Sequence, residues 1–239
     1  MGSTAHQSVF IVGTDTEVGK TITTAALVAY WRQHYTPAAL GLMKPVQSGV
    51  GDFEKYTQLF DLDQEPAAIA PQRFAAPLAP PLAAAQMGKT VDLTVVWQAL
   101  SQLLAERQVV LVEGVGGLGS PVTAEWTNAD LAAAWRLPVV LVVPIKLGAI
   151  AQAVANAALA RQHHLTVKGI VLNCLTPLTP EQQDDWAPVA LIERLTQLPV
   201  LGRLPHLENP DDVAALAAAA AHLTLEAIWG HPTSLSKVG

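Results

Sequence analysis

The chain has 239 residues, enough for one sizeable α/β domain with a filled core and not obviously enough for two. Hydrophobic residues make up 51%, much of it alanine, aromatics only 5%, and the net charge is −6. That balance suits helices packed closely on a sheet and argues against a basic surface for nucleic acid or acidic lipid.

Cys174 is the single cysteine, so no intrachain disulfide can form. The opening MGSTAHQSVF has no basic n-region with a long apolar stretch, and LPVVLVVPI is too short to span a bilayer. A cytoplasmic protein without a membrane partner is expected.

Short apolar runs alternate with helical patterns along the chain. Strands are predicted at 8–12, 38–43, 108–112, 138–143, 168–172 and 199–202, and helices at 19–34, 52–61, 92–106, 127–136, 147–163, 181–197 and 211–229. Near-continuous Val/Ile/Leu strands separated by helices predict an α/β fold, a mostly parallel sheet with helices on both faces. Ligands of such sheets bind outside the carboxyl ends of the strands. The Pro/Ala-rich stretch 65–89 reads as a linker or, with helical patterns on both sides, as a surface excursion within one domain spanning 1–239. The polar end, 230–239, reads as a frayed tail.

Three clusters follow predicted strands. The first is VFIVGTDTEVGKTITT, a strand, a Gly-containing loop and Gly19-Lys20-Thr21 opening a helix. This is the context of a phosphate-binding loop, whose general form is GxxxxGK[ST]. Here five residues, Thr14 to Val18, separate Gly13 from Gly19, one more than that form allows. Backbone N–H groups and a helix N-terminus would cradle phosphates, with Lys20 on the β/γ oxygens and the Thr21 hydroxyl on Mg²⁺. The alternative is a Gly-rich βα turn with a solvated lysine.

The second cluster is LMKPVQSG. Pro45 stops a helix, so Lys44 falls at a strand's carboxyl end, either solvated or, level with the first loop and accompanied by Ser48, a second cation for a transferring phosphoryl group. The third is VVLVEGVGGLGSP, where Glu113 ends a very apolar strand before Gly114, Val115, Gly116 and Gly117. A carboxylate there is costly unless paired; Mg²⁺ is the natural partner, with a turn cap as the alternative. Asp52 stands where a helix begins, an N-cap or a second metal carboxylate with Glu54 as competitor. Asn173 ends another strand and could read an adenine edge or form a turn. His163 and His164 close a helix and complement its dipole. His6, His34, His222 and His231 show no ligand spacing.

Taken together and in order, GTDTEVGKT, KPVQSG, VEGVGG, IKLGAI, LNCLTP and LGRLPHLENP resemble the dethiobiotin synthetases, from about residue 8 to 215. In that family the five-residue loop spacing is the normal form. The resemblance implies a P-loop nucleoside triphosphate hydrolase type of fold, a homodimer, and an ATP- and Mg²⁺-dependent ligase. The implied reaction joins 7,8-diaminopelargonic acid, CO₂ and ATP into dethiobiotin, ADP and phosphate through a carbamate and a carbamic-phosphoric anhydride.

Carried over by position, Thr16, Lys20 and Lys44 would surround the carbamate and transferring phosphate. Thr21, Asp52 and Glu113 would hold Mg²⁺. Ser48, and the backbone of Gly148, Ala149 and Ile150, would contact the diamine substrate. Glu17, Val18, Gly19, Lys20, Thr21 and Ile22, with Glu113 to Gly116, would line the nucleotide, and Asn173, Pro205, His206, Leu207 and Asp211 would lie around adenine.

Three departures stand out: GVGDFEKY replaces a longer loop before the metal aspartate, Ala151-Gln152 replaces Asn-His, and LNC replaces Asn-Asp. Two other classes share parts of the pattern. A cobyrinic-acid-type amide ligase would bring a glutaminase domain for which this chain has no room. A partition or septum-positioning ATPase would carry a signature lysine early in the loop, where Thr14 and Asp15 stand.

Overall fold

The computed structural model describes residues 7–230. His6, His231 and the expected frayed tail beyond residue 230 lie outside them. In chain order the elements are β1 (Gln7–Gly13), α1 (Lys20–His34), a 3₁₀ turn (Pro37–Ala39), β2 (Leu40–Met43), β3 (Val46–Ser48), α2 (Asp52–Leu59), α3 (Pro66–Ile69), β4 (Gln72–Phe74), α4 (Pro80–Gln86), α5 (Leu93–Glu106), β5 (Val109–Gly117), α6 (Asn128–Ala134), β6 (Val139–Pro144), α7 (Ala149–Gln162), β7 (Val167–Asn173), α8 (Pro180–Trp186), α9 (Val189–Thr196), β8 (Val200–Leu204), α10 (Val213–Ala220) and α11 (Leu225–Trp229).

Six strands form one parallel sheet in the order β2-β5-β1-β6-β7-β8. Both faces are covered, as the near-continuous apolar strands require. Alternate residues of β1 go to opposite cores: Phe10 and Val12 face a cluster with Val96, Leu100 and Ala153, while Val9 and Ile11 face one with Leu27, Trp31 and Leu216. The same alternation splits Val110 and Val112 of β5 from Val109 and Leu111. Because all six strands run the same way, the loops after β1, β2, β5, β6, β7 and β8 emerge at one edge, and the three predicted clusters meet there.

The structure adds β3 and β4, a two-stranded parallel pair within KPVQSG and the Pro/Ala-rich stretch, which also folds into α3 and α4 rather than a linker. Pro66 and Pro80 sit in the first turns of those helices, where a missing N–H costs nothing. The helix predicted over 181–197 is two, because Pro188 caps a new helix, and the one over 211–229 is broken at Ala221–Thr224.

The sheet's edges are closed by the chain itself. On β2 the Gln64 side-chain amide accepts from Leu42 N–H at 2.8 Å and donates to Leu42 C=O at 3.0 Å, standing in for a neighbouring strand, and Lys44 N–H donates to Ile69 C=O. On β8, Gly202 bridges antiparallel to Leu223. Among the described residues no helix is long and apolar enough to cross a membrane.

Candidate active site

The loop after β1 is held by backbone geometry that its sequence specifies. Gly19 caps α1 with φ +92°, and a Cβ there would lie 1.9 Å from Asn173 Nδ2, so only glycine fits. Asn173, at the end of β7 and 3% exposed, donates from Nδ2 to Val18 C=O at 2.9 Å. Lys20 folds back over the loop and donates to Asp15 C=O at 3.1 Å. The Gly-rich end of β5 packs against the same loop: Leu118 N–H donates to Gly13 C=O, and Asn128 donates to Val115 and Gly117 C=O at 2.7 Å each.

Glu113, on β5 and 0% exposed, is the centre of a charged cluster. Its Oε1 accepts from Lys44 Nζ at 2.8 Å and lies 3.1 Å from Thr21 Oγ1, and its Oε2 accepts from the Tyr56 hydroxyl. Lys44 Nζ also lies 2.5 Å from Asp52 Oδ2, and Thr21 Oγ1 donates to Asp52 Oδ1 at 2.7 Å. Four elements thus supply one knot: β5 gives Glu113, α1 gives Thr21, α2 gives Asp52, and the end of β2 gives Lys44.

Burial acts against the Lys44 ammonium, but the Glu113 and Asp52 carboxylates outweigh it and hold the group above its ordinary pKa. Asp52 is the mirror case: burial would raise it, and Lys44 with the Thr21 hydroxyl holds it below the usual carboxylate range. Burial pushes Lys20 down, opposed by Glu113 and reinforced by Lys44. The Tyr56 phenol is raised well above its ordinary value by burial and by both carboxylates, so it stays protonated and donates.

Glu54 is engaged elsewhere. It accepts from Gly51 N–H and Gln47 Nε2, both at 2.8 Å, fixing the start of α2, while Asp52 turns to the cluster. Two carboxylates and a hydroxyl are the sparse, hard-oxygen set that suits Mg²⁺, which keeps much of its coordination for phosphate and water. Among the described residues no group of three or more His, Cys, Asp or Glu side chains converges to form a fuller protein cage.

A cavity of about 450 Å³ opens over this knot. Lys20, Thr21, Lys44 and Asp52 line its floor, with Thr16, Glu17, Gly19 and Ile22 on the loop side. Val115 and Gly116 come from the end of β5, and Gln47, Ser48 and Val50 from the other rim. Val18, Glu113 and Gly114 lie just behind that lining, in the loop, the knot and the end of β5. Asp211 pairs with Lys55 of α2; neither it nor Pro205, His206 or Leu207, in the segment after β8, is among the residues lining the cavity. Asn173, expected near adenine, directs its amide nitrogen at the loop.

Gly148, Ala149 and Ile150 are not brought to this cavity. Ala149 is buried, while Gly148 and Ile150 line a second, mainly apolar cavity of about 580 Å³ with Leu147, Trp186 and Leu195. Sequence reading missed Tyr56, Gln47 and Asn128. The spacing of Tyr56 four residues after Asp52 was the available signal, since it sets both on one face of α2.

Residues 7–213 match the family described as AAA domain. The ATP-dependent dethiobiotin synthetase BioD of Gloeothece citriformis is 54% identical over 219 residues, covering 92% of this chain and 97% of that protein. Its counterpart from Crocosphaera subtropica is 50% identical, covering 93% and 99%. Among solved structures, a ParA family ATPase from Chlorobium tepidum has a TM-score of 0.56 at 12% identity, covering 95% of this chain and 97% of that one. The MinD cell division protein of Aquifex aeolicus gives 0.52 at 12%, covering 93% of each. At such identity the solved structures show the P-loop fold alone, while the much closer sequences decide the family. The chain belongs to the ATP-dependent dethiobiotin synthetases and is an ATP-dependent ligase of biotin synthesis.

Proposed function

We propose that this chain, acting as one unit over 1–239, closes the ureido ring of dethiobiotin from 7,8-diaminopelargonic acid, CO₂ and ATP. The observation that carries the reading is the convergence of two ammonium groups, Lys20 and Lys44, with Thr21 and Asp52 on one cavity at the carboxyl edge of the sheet. Such a site concentrates positive charge where a triphosphate and a carbamate would concentrate negative charge.

One substrate amine takes up CO₂ to give a carbamate, losing a proton. The carbamate oxygen attacks the γ-phosphorus in line, ADP leaves, and a carbamic-phosphoric anhydride remains. The second amine then attacks the carbonyl carbon, phosphate departs with the C–O bond's electrons, and the ring closes.

Nothing in this sequence needs a covalent protein nucleophile; it needs positioning and charge neutralisation. Lys20 reaches the transferring phosphoryl group from the loop. Lys44 stands beside it on the same cavity and also meets the carbamate, and the Thr16 hydroxyl completes that cradle. Thr21, Asp52 and Glu113 would hold Mg²⁺, which when bound supplies neutralisation of the phosphate oxygens. The Ser48 hydroxyl, without a hydrogen-bond partner among the described residues and on the cavity rim, contacts the diamine. Asn173, Pro205 to Leu207 and Asp211 border the adenine.

Gly148 to Ile150 reach the substrate's far end only if a second copy brings its own α7 to the site, so the homodimer belongs to the same reading. We place the enzyme in the cytoplasm, consistent with a free Cys174. The test is mass spectrometry with purified protein, Mg-ATP, bicarbonate and the diamine. Dethiobiotin forming in step with ADP supports the reading; ADP released without diamine, and no dethiobiotin, sinks it in favour of a nucleotide-switch ATPase.

A further inference from the structure

Tyr56 presents a phenol to the interior that packing alone does not require. The residue is 0% exposed within a cluster that includes Phe60, Leu27 and Trp31, where a phenylalanine would fill nearly the same volume. A hydroxyl in such surroundings is costly unless it has a partner, and the partner here is the buried Glu113.

The two oxygens of Glu113 are divided between different tasks. Oε1 turns to Thr21 and Lys44 on the cavity side, whereas Oε2 is held by Tyr56, its one donor among the described residues. The division follows from the helix that carries it. Asp52 and Tyr56 are four residues apart on α2 and so share a face. One helical turn thus delivers a carboxylate to the Thr21–Lys44 knot and a phenol to the rear of the second carboxylate. Shifting α2 by one residue would lose both contacts together.

We propose that Tyr56 is a positioning residue that locks the Glu113 carboxylate with Oε1 facing the cavity, so that the metal-holding set is assembled before nucleotide arrives. The inference rests on the reading above that Glu113 holds Mg²⁺. Hydrogen-bonded supports behind a ligating group typically matter tenfold to a hundredfold for metal affinity. Without the phenol only the contacts on Oε1 orient the carboxylate, Oε2 loses its anchor, and each metal-binding event must then select among more orientations.

The experiment uses Tyr56→Phe and Mn²⁺ as the probe, with free Mn²⁺ counted by electron paramagnetic resonance on protein saturated with a non-hydrolysable ATP analogue. The expected result is Mn²⁺ affinity weakened by about tenfold to a hundredfold. ADP affinity without metal should be unchanged, and turnover should recover at saturating metal. Unchanged Mn²⁺ affinity overturns the proposal, and so does an equal loss of metal-free ADP affinity, which would mean a merely structural phenol.

Glu113→Gln separates the two levels of the argument. If Mn²⁺ binding survives that change, the reading of Glu113 itself fails; if Glu113→Gln weakens Mn²⁺ while Tyr56→Phe does not, only this inference fails. Should Tyr56→Phe not fold, 3-fluorotyrosine in the unaltered sequence supplies the same answer. The chain has three tyrosines, so substituting Tyr30 and Tyr35 assigns the third signal. Movement of the Tyr56 resonance when Mg²⁺ is added to the nucleotide-bound protein supports the proposal, and a static resonance overturns it.

Discussion

Two helix N-termini at the same edge of the sheet begin with the same device and end in different surroundings. α1 is capped by Gly19 at φ +92° and α7 by Gly148 at φ +91°. Around Gly19 every direction is taken: Asn173 presses on it, Lys20 bends over the loop, and the glycines of β5 close the far side. Around Gly148 a Cβ would meet nothing within 4 Å, and its neighbour Leu147 is 77% exposed. The first N-terminus is rigid before any ligand comes, as phosphoryl transfer demands. The second opens instead on the mainly apolar cavity that it lines with Leu147, Trp186 and Leu195.

The largest test of this contrast is Lys44→Gln. On the built side, losing the second cation should lower dethiobiotin formation by about a hundredfold to a thousandfold, while calorimetry finds nucleotide affinity nearly intact. It should also lower the melting temperature without metal, because Glu113 and Asp52 are left facing each other. Weakened ATP binding with normal turnover at saturation would contradict the role given to Lys44.

Alanine at the two glycines compares the regions directly. Gly148→Ala should cost about 1–2 kcal/mol, the strain of a left-handed alanine alone. Gly19→Ala should cost about 1 kcal/mol more as the Asn173–Val18 hydrogen bond is displaced, with clear loss of nucleotide affinity. Equal urea midpoints would mean the phosphate loop is less tightly built than its contacts indicate.

A pH profile sharpens the picture further. The folded pKa of Asp52 is depressed, so its stabilising contribution is present above the ordinary carboxylate value of about 4 and is lost as pH falls through the lower folded value. Asp52→Asn should therefore flatten the acid limb of melting temperature against pH, leaving the curve near neutrality parallel to that of the unaltered protein. An acid limb of unchanged steepness would place the titrating group elsewhere.

The smallest effect belongs to Glu54→Gln. It should cost about 1 kcal/mol or less through a weaker helix start and leave the Mg²⁺ dependence of turnover unmoved. A shift in that dependence would make Glu54, rather than Asp52, the second carboxylate.

The six long strands were legible because each is a continuous apolar run bounded by turn residues, and the ligand-bearing loops followed from strand polarity. β3 and β4 were not, since three residues show no alternation. α3 and α4 hid in a Pro/Ala-rich stretch whose first-turn prolines read equally well as loop. The knot was half legible: Thr21, Lys44 and Asp52 each stood at a strand or helix end, whereas Glu113, expected to end its strand, lies in the middle of β5, which continues to Gly117. The spacing put Tyr56 on the face of Asp52, but nothing local told that it would meet a strand 57 positions away, or that the Asn173 amide nitrogen would hold the loop. Pairings across such separations arise from tertiary packing and leave no local trace.

Gln64 on the edge of β2 has a consequence for the life of the chain before it is an enzyme. An unpaired edge of an apolar sheet is a template on which other chains can add strands and polymerise. Gln64 occupies that template with a single side-chain amide and lies only 22 positions beyond Leu42, so the plug is synthesised almost together with the edge it seals. At the opposite edge the turn around Leu223 does the same for β8. Both ends of the sheet thus carry a plug that hinders copies of this chain from lengthening one another's sheets.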